Sequence, residues 1–340
     1  MASTSRTLSK RFSGRLTDMA NPSQAGKAAD HHYVPKFYLK GFTDKQGSLW
    51  VYEKGTNAPR ESTPKKEGHR ENYYTFTDRG FPDDSTEKML SKVESMVAPV
   101  MKKLANPLFK MSEVQRSELY SFVALTFVRV PAYREFIDTQ AAKMAQRFVQ
   151  SCAMDREKFY AVVQAYEAET GQPLGDQEKL REFAASNNYS MTQRSAGYNL
   201  LLTFQSCIAV SEVLESEYRH DIYYAPADSF FMTCDNPVTT IEPDTDGTAW
   251  VGMGVGRPRT EILFPLNKRA CMILRRSGRE TQIRASSHRT RQINEMMMGV
   301  AQRCVYAPAG YRRLSRIFNE RGCRIKYGEN AFLAGQEHPP

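Results

Sequence analysis

The sequence predicts an α+β fold in which strands from the two ends of the chain form an antiparallel sheet, with a large all-α block inserted between them. Short β-branched and aromatic runs separated by turns occupy residues 30–82 and again residues 221–328. Helical periodicity and capping signals occupy residues 83–220. Segregation of strands and helices along the chain is typical of α+β folds, whereas βαβ units alternate the two. We therefore expect a single domain over residues 30–328.

Composition limits the class of protein before any motif is considered. The chain has 340 residues, of which 41% are hydrophobic, as in an ordinary globular protein with a sizeable core. Its apolar runs are far shorter than the roughly eighteen residues that suggest a membrane-spanning helix. Residues 1–29 and 329–340 are predicted to be tails, the first of them disordered because it has little apolar surface to bury. The six cysteines are widely spaced without a Cys-x-x-Cys pair, which favours reduced thiols and a cytoplasmic location.

The N-terminal region is predicted to be rich in strands. A turn at residues 43–47 precedes an alternating segment at 48–53, which is typical of a strand. A loop rich in Lys, Pro and Gly follows, and a second strand is expected near residues 73–76.

Two capping boxes mark the beginnings of helices in the middle of the chain. The box at residues 84–87 precedes an amphipathic pattern, and the box at 112–115 precedes a strongly apolar one. The second helix is expected to end near Arg129, because Pro131 lacks a backbone donor. Helical patterning continues, with interruptions, to about residue 218.

The sequence pattern changes again after the helical block. Short β-branched and aromatic runs between turns predict hairpins rather than βαβ units. The predicted strands lie at residues 222–224, 229–233, 238–241, 261–264, 270–274 and 304–306, with a helix at 287–301 and a short helix near Leu314.

The segment at residues 31–42 is the most distinctive in the chain, because it crowds two histidines, four aromatic rings and a proline into twelve positions. Pro35 disfavours helix at the preceding residue, so the chain there should be extended or turning. His32 would then lie at the mouth of an anchored turn, where it could act as a general acid or base. The alternative is a turn histidine bonded to backbone. Neither His31 nor His32 has a His or Cys at the spacing of a zinc site.

Two arginines flank the proline that ends the second helix. Arg129 and Arg134 could present guanidinium groups to a carboxylate or phosphate beside the free backbone groups of the break. The alternative for Arg129 is an internal salt bridge with Asp235 or Glu94, since a charge in so apolar a segment needs a partner. Glu94 is therefore a secondary site candidate.

The segment Thr-Cys-Asp-Asn-Pro-Val at residues 233–238 follows an apolar run. Asp235 is a candidate catalytic carboxylate, because burial and an arginine partner would set its pKa. Asn236 is assigned to substrate binding. The alternative is that Asp-Asn-Pro is only turn chemistry, since both side chains can close Asx turns.

These motifs resemble a known family. The His-x-x-Val-Pro opening, the Arg-x-Pro run and the Asp-Asn-Pro-Val segment are similar to segments of the domain-of-unknown-function family 4238, DUF4238. Cys234 stands where that family would place serine. The activity of the family is uncharacterised, so the resemblance implies a family and leaves the mechanism to be argued from residues.

The net charge of +9 is concentrated near the C-terminus. Residues 255–328 contain seventeen basic and four acidic side chains. Arg312, Arg313 and Arg316 lie close to Tyr306 and Tyr311 and are predicted to bind an anionic partner such as nucleic acid. The alternative is an ordinary solvated basic face.

We hypothesise from these candidates a hydrolase, resembling a nuclease or phosphodiesterase, that acts on an anionic substrate. Its catalytic residues would be His32, Arg129 and Asp235. A divalent metal is left open as a cofactor, although the sequence has no metal-ligand motif. Substrate binding is assigned to Arg134, Asn236, Arg312, Arg313 and Arg316.

Two other hypotheses stay open. The chain could be a non-catalytic module that binds nucleic acid or an acidic protein, or a structural protein whose motifs only lock the fold. Convergence of the three catalytic candidates at an open cavity would favour the enzyme, whereas burial and mutual pairing would favour the structural role.

Overall fold

The computed structural model describes residues 30–71, 73, 76–78, 81–83, 85–191, 196–243, 249–252, 254–320 and 325–327. The chain divides into two compact units, one made of Met1–Arg134 and Leu200–Pro340 and the other of Glu135–Asn199. The predicted tails at 1–29 and 329–340 lie outside the described residues, and the predicted single domain stays a prediction.

The predicted α+β class is confirmed. Helices of the described residues are α1 (Lys36–Leu39), α2 (Ser85–Lys103), α3 (Glu113–Val128), α4 (Pro131–Met154), α5 (Arg156–Thr170), α6 (Gln177–Ser186), α7 (Ala196–Glu217), α8 (Ser287–Val300) and α9 (Arg312–Asn319). A short 3-10 helix, Lys40–Phe42, follows α1. Within the described part of the chain, no helix has the length and apolar character needed to cross a membrane.

Strands come from both ends of the chain. Those of the N-terminal region are β1 (Asp30–His32), β2 (Leu49–Glu53), β3 (Arg60–Ser62), β4 (His69–Glu71), β5 (Phe76–Asp78) and β6 (Phe81–Asp83). Those that follow the helices are β7 (Arg219–Tyr224), β8 (Thr233–Cys234), β9 (Thr239–Pro243), β10 (Ala249–Val251), β11 (Glu261–Asn267), β12 (Ala270–Arg275), β13 (Thr281–Arg284), β14 (Cys304–Ala307) and β15 (Ile325–Tyr327).

Two larger sheets organise these strands. A four-stranded antiparallel sheet has the order β3-β2-β14-β8, so N-terminal and C-terminal strands pair as predicted. A seven-stranded sheet has the order β13-β7-β12-β11-β9-β10-β15. Its pairs are antiparallel except for β13 with β7 and β10 with β15, which are parallel and lie toward its two edges.

The helix boundary at Pro131 lies where the sequence predicts it. Ser112 and Gln115 form a capping box at the beginning of α3, and the buried face of that helix extends to Val128. Arg129 follows as the C-cap residue, and Pro131 opens α4, where a missing backbone donor costs nothing. The two arginine positions are thereby fixed on either side of a helix boundary.

Residues 229–232 differ from the predicted strand, because only Thr233–Cys234 joins a ladder there. Side-chain and loop partners take the place of strand pairing. The Met232 amide donates to Asn294 Oδ1 over 2.9 Å, and the Phe231 amide donates to the Lys268 carbonyl over 3.0 Å. The apolar side chains of this run still pack in the core beneath α8.

The unit Glu135–Asn199 has a small core of its own. Ala153, Phe159, Val163 and Ala184 are buried together. Aspartates cap its two shorter helices: Asp155 accepts from the Lys158 amide, and Asp176 accepts from the Lys179 amide.

The opening segment is anchored by β1, α1 and the turn between them. β1 pairs with β4 in antiparallel register, which sets His32 opposite His69. The Val34 amide donates to the Gly68 carbonyl over 3.0 Å. Tyr38 is buried in the core, where its hydroxyl donates to the Pro265 carbonyl over 2.6 Å. Segments far apart in sequence therefore hold the turn in place.

Gly68 packs closely against the opening segment, with no room for a larger side chain. Its φ is +66°, and a Cβ built on it would lie 2.8 Å from Val34 Cβ. Gly68→Ala should therefore destabilise the fold through backbone strain and overpacking together. Gly47→Ala is the matched control, because Gly47 has φ +88° but no atom of the described residues within 4 Å of its added Cβ.

Chemical denaturation should show that Gly68→Ala lowers the free energy of unfolding by about 1–3 kcal/mol more than Gly47→Ala does. Equal losses for the two variants would contradict close packing between β4 and the opening turn.

Candidate functional site

The two histidines of the opening segment are buried. His31 is 1% exposed and His32 is 6% exposed. His32 Nε2 lies 3.3 Å from the Lys65 carbonyl, and because a carbonyl only accepts, that nitrogen carries the proton of this hydrogen bond. The His32 ring lies 5.2 Å from the His69 ring, between centroids. The ring of His32 therefore binds a backbone carbonyl and lies beside a second imidazole.

Arg129 is 3% exposed and lies between the opening segment and α2. Its Nη1 donates to Glu94 Oε1 over 3.0 Å, and its Nη2 donates to the His32 carbonyl over 2.5 Å. Glu94, one of the two salt-bridge partners considered from the sequence, is thus in contact with Arg129. The contact compensates a buried guanidinium and joins α2, the C-cap of α3 and β1.

Asp235 binds backbone amides. Its Oδ1 accepts from the Gln302 amide over 2.8 Å, and its Oδ2 accepts from the amides of Arg303 and Cys304 over 2.7 and 2.9 Å. Burial raises the pKa of the Asp235 carboxyl, and these three amides oppose that shift. The carboxylate therefore fixes the turn that begins β14.

Asn236 is buried beside Asp235. Its amide donates to Cys234 Sγ over 3.3 Å, and the Cys234 thiol donates to the Asn236 carbonyl over 3.1 Å. Burial raises the pKa of Cys234, so the thiol keeps its proton. The side-chain Oδ1 of Asn236 has no hydrogen-bond partner among the described residues.

Tyr33 of the opening segment lies close enough to Asp235 for the charge of that carboxylate to act on its hydroxyl. Burial raises the pKa of the Tyr33 hydroxyl, and the negative charge of Asp235 raises it further. The same charge acts on Tyr306 of β14. The three motifs therefore contribute to neighbouring parts of the structure. The side chains of His32, Arg129 and Asp235 do not line either of the two described cavities.

Arg134 lies on the partly exposed side of this region. Its Nη1 donates to the Tyr73 carbonyl over 3.0 Å, and its guanidinium lies 5.2 Å from the centre of the Tyr73 ring. Tyr33 is 6.0 Å from Tyr73 between ring centroids, and the Arg70 guanidinium is 6.0 Å from the Tyr33 ring. Cationic and aromatic groups thus alternate along this surface.

The C-terminal arginines lie elsewhere, on α9. Arg312, Arg313 and Arg316 are all exposed, and Arg316 lies 3.7 Å from Glu320. Tyr311, directly before the helix, is 55% exposed and stacks on Phe230 with 6.5 Å between centroids and 13° between planes. Exposed cations and an exposed aromatic ring therefore share this surface.

A cavity of about 410 Å³ opens beside Tyr311. Arg313 and Arg291 line it together with Phe230, Met298 and Ile317. Asn294 supports its wall, because its side chain accepts from the Met232 amide and donates to the Phe230 carbonyl. The cavity is therefore lined by apolar side chains and two arginines, together with the acidic side chains of Asp228 and Glu295.

A second cavity, of about 430 Å³, contains residues that the sequence analysis did not single out. His220 of β7 and Glu280 line it, and His220 Nδ1 lies 3.3 Å from Glu280 Oε1. His220 lies between Arg219 and Asp221 at the beginning of β7, and this run of three ionisable residues ahead of Ile222 was the available signal. Its partner could not be found from spacing, because 60 residues separate the two positions.

The described residues include no group of three or more His, Cys, Asp or Glu side chains placed to hold a metal ion.

Comparison with known proteins gives one match. The family model described as "Protein of unknown function (DUF4238)" matches residues 30–309. Neither the curated proteins nor the solved structures include a match to this chain.

Arg129→Ala should destabilise the protein by about 3–5 kcal/mol, because it leaves Glu94 without its cation and the His32 carbonyl without a charged donor. Arg134→Ala is the matched control, since that partly exposed arginine contacts a carbonyl and a ring and should cost about 1 kcal/mol. Denaturant unfolding measures both changes. A loss for Arg129→Ala as small as that of the control would contradict the anchoring role.

Proposed function

Because the chain belongs to the DUF4238 family, whose function is unknown, we propose a function from its own geometry: it binds single-stranded nucleic acid at the surface made by Tyr311 and helix α9. The observation that carries the proposal is the exposed Tyr311 ring, stacked on Phe230 and adjoining three exposed arginines.

The arginines supply the contacts to phosphate. Arg312 and Arg313 have no ion-pair partner among the described residues, so their charges are available to a ligand. Neutralising phosphates releases counterions, and this release supplies most of the sequence-independent affinity for nucleic acid. The pair Arg291 and Glu295 on the cavity wall is internally balanced, with 2.9 Å between Nε and Oε1. Binding should therefore depend on α9 more than on α8.

The aromatic pair favours single strands over duplexes. A base can stack on a tyrosine only when that base has left its own helix. Phe230 supports Tyr311 from behind, which keeps the ring flat without a large loss of side-chain entropy on binding. The adjoining cavity of about 410 Å³ lies within the size range of small-molecule sites and could accept an unstacked base.

The hydrolase hypothesis, with His32, Arg129 and Asp235 as catalytic residues, stays a prediction. Their burial and internal hydrogen bonds support anchoring roles for these three side chains. A nuclease assay of His32→Ala tests catalysis separately: loss of a general acid or base should lower turnover by about 10²–10⁴-fold and leave the melting temperature near that of the wild type.

Binding of a fluorescein-labelled oligothymidylate, followed by anisotropy across a salt series, tests the nucleic-acid proposal. Replacing Arg312, Arg313 and Arg316 with alanine should reduce the slope of log K against log salt by about 2, at roughly 0.7 for each single-strand phosphate contact. Tyr311→Ala should remove about 1–3 kcal/mol of binding free energy.

The matched control replaces Lys36, Lys40 and Lys45, which are exposed on and after α1, with alanine. That variant loses the same charge but should keep the slope of the wild type. Absence of binding at low salt, or an equal change in the two triple variants, would refute a nucleic-acid site on α9.

A further inference from the structure

We propose that the second cavity is a hydrolytic site in which His220 is the general base and Glu280 is its positioning residue, acting on a small ester of a carboxylic or phosphoric acid. The site is separate from the α9 surface, so the proposal does not depend on nucleic-acid binding.

Strand pairing brings the two residues together. β13 pairs in parallel with β7, and Thr281 lies opposite Asp221 in that register. The residues before them, Glu280 and His220, are therefore neighbours at the same end of the ladder. Helix α3 contributes Arg116 and Tyr120, which are four residues apart and so lie on one face.

An ion-pair contact with Glu280 and a hydrogen bond with Tyr120 orient the imidazole. His220 Nδ1 lies 3.3 Å from Glu280 Oε1 and 3.0 Å from the Tyr120 hydroxyl. Arg116 Nη1 donates to the same Glu280 oxygen over 3.1 Å, which fixes the carboxylate. We assign the proton of the neutral imidazole to Nδ1, because the Glu280 carboxylate only accepts and the Tyr120 hydroxyl oxygen can accept as well. The lone pair then lies on Nε2.

The Nε2 atom is available for chemistry. His220 is 7% exposed and lines the cavity, and its Nε2 has no hydrogen-bond partner in the described part of the chain. A cavity-lining histidine that a carboxylate contacts through Nδ1, and whose Nε2 has no hydrogen-bond partner among the described residues, has a ring nitrogen left for general-base catalysis.

The surroundings keep the imidazole neutral near pH 7. Burial lowers the pKa of His220, Glu280 and Asp221 oppose that shift, and Arg116 adds to it. Burial also raises the pKa of Tyr120, so its hydroxyl stays protonated beside the ring. His220 can therefore accept a proton.

The cavity wall indicates the kind of substrate. Leu104, Phe109, Met111 and Ile222 line it with apolar groups that suit an alkyl or aryl group. Lys110 and Arg116 also line it, and they could stabilise negative charge that develops on a carbonyl or phosphoryl oxygen. A volume of about 430 Å³ suits a small molecule rather than a polymer.

The proposed reaction consumes one water. The water loses a proton to His220 Nε2 as its oxygen bonds to the acyl carbon or to phosphorus. The bond from that atom to the leaving oxygen breaks, and the imidazolium returns the proton to that oxygen. The products are one acid and one alcohol, and no oxidant or reductant is required.

The test measures release of p-nitrophenol by the full chain from p-nitrophenyl acetate and from bis(p-nitrophenyl) phosphate, which distinguish the two acid classes. His220→Gln should lower kcat/KM by about 10²–10⁴-fold. His288→Gln, a change of an exposed histidine on α8, is the matched control and should equal the wild type.

The pH profile separates chemistry from support of the fold. The rate should fall below the pKa of His220, because only the neutral imidazole accepts a proton. Glu280→Gln removes a charge that raises this pKa and should move the acid limb to lower pH. Arg116→Gln removes a charge that lowers it and should move the limb to higher pH. A folding defect cannot produce opposite shifts.

Three results would overturn the proposal: no turnover of either probe above buffer, equal rates for His220→Gln and the wild type, or an acid limb that Glu280→Gln and Arg116→Gln leave in place. If His220→Gln fails to fold, the two limb shifts decide the matter, since Glu280 and Arg116 are partly exposed and more readily replaced.

Discussion

The carboxylate of Asp235 holds together the part of the fold on which the two ends of the chain meet. It accepts three backbone amides at residues 302–304, where helix α8 has ended and β14 begins. β14 then pairs with β2 on one side and with β8 on the other. A buried charge with three donors is far less costly than one without them. The four-stranded sheet therefore depends on the residue that the sequence suggested as a catalytic carboxylate.

Arg129 applies the same principle to the helices. A guanidinium inside an apolar segment needs hydrogen-bond acceptors. Arg129 lies at the boundary between α3 and α4, where it donates to Glu94 and to the carbonyl of His32. The helix pair is thereby joined to the opening segment. The motifs that carry the family resemblance are thus also the places where the β-rich and helical parts of this unit contact each other. Each of these contacts depends on a buried polar group with a fixed partner.

Local signals explain how much could be predicted. Capping at residues 112–115, the helix boundary at Pro131 and the pairing of terminal strands follow from short-range chemistry and from segregation along the chain. For Arg129 the sequence offered two acceptors, and only tertiary packing could choose Glu94. Residues 229–232 had the composition of a strand, but Asn294, more than 60 positions away, takes the place of a ladder partner. No periodicity encodes that contact.

The His220 cluster cannot be recognised as a unit in the sequence. Its members come from α3, β7 and the segment before β13, and their proximity rests on a parallel register and on a helix packed over it. Recognisable sequence motifs lie mainly at turns, because a turn needs particular residue types within a few positions of one another. A cavity lined by separate elements has no such need, since each element can form without it. Buried sequence motifs and a cavity lined by reactive side chains can therefore occupy different parts of one structure.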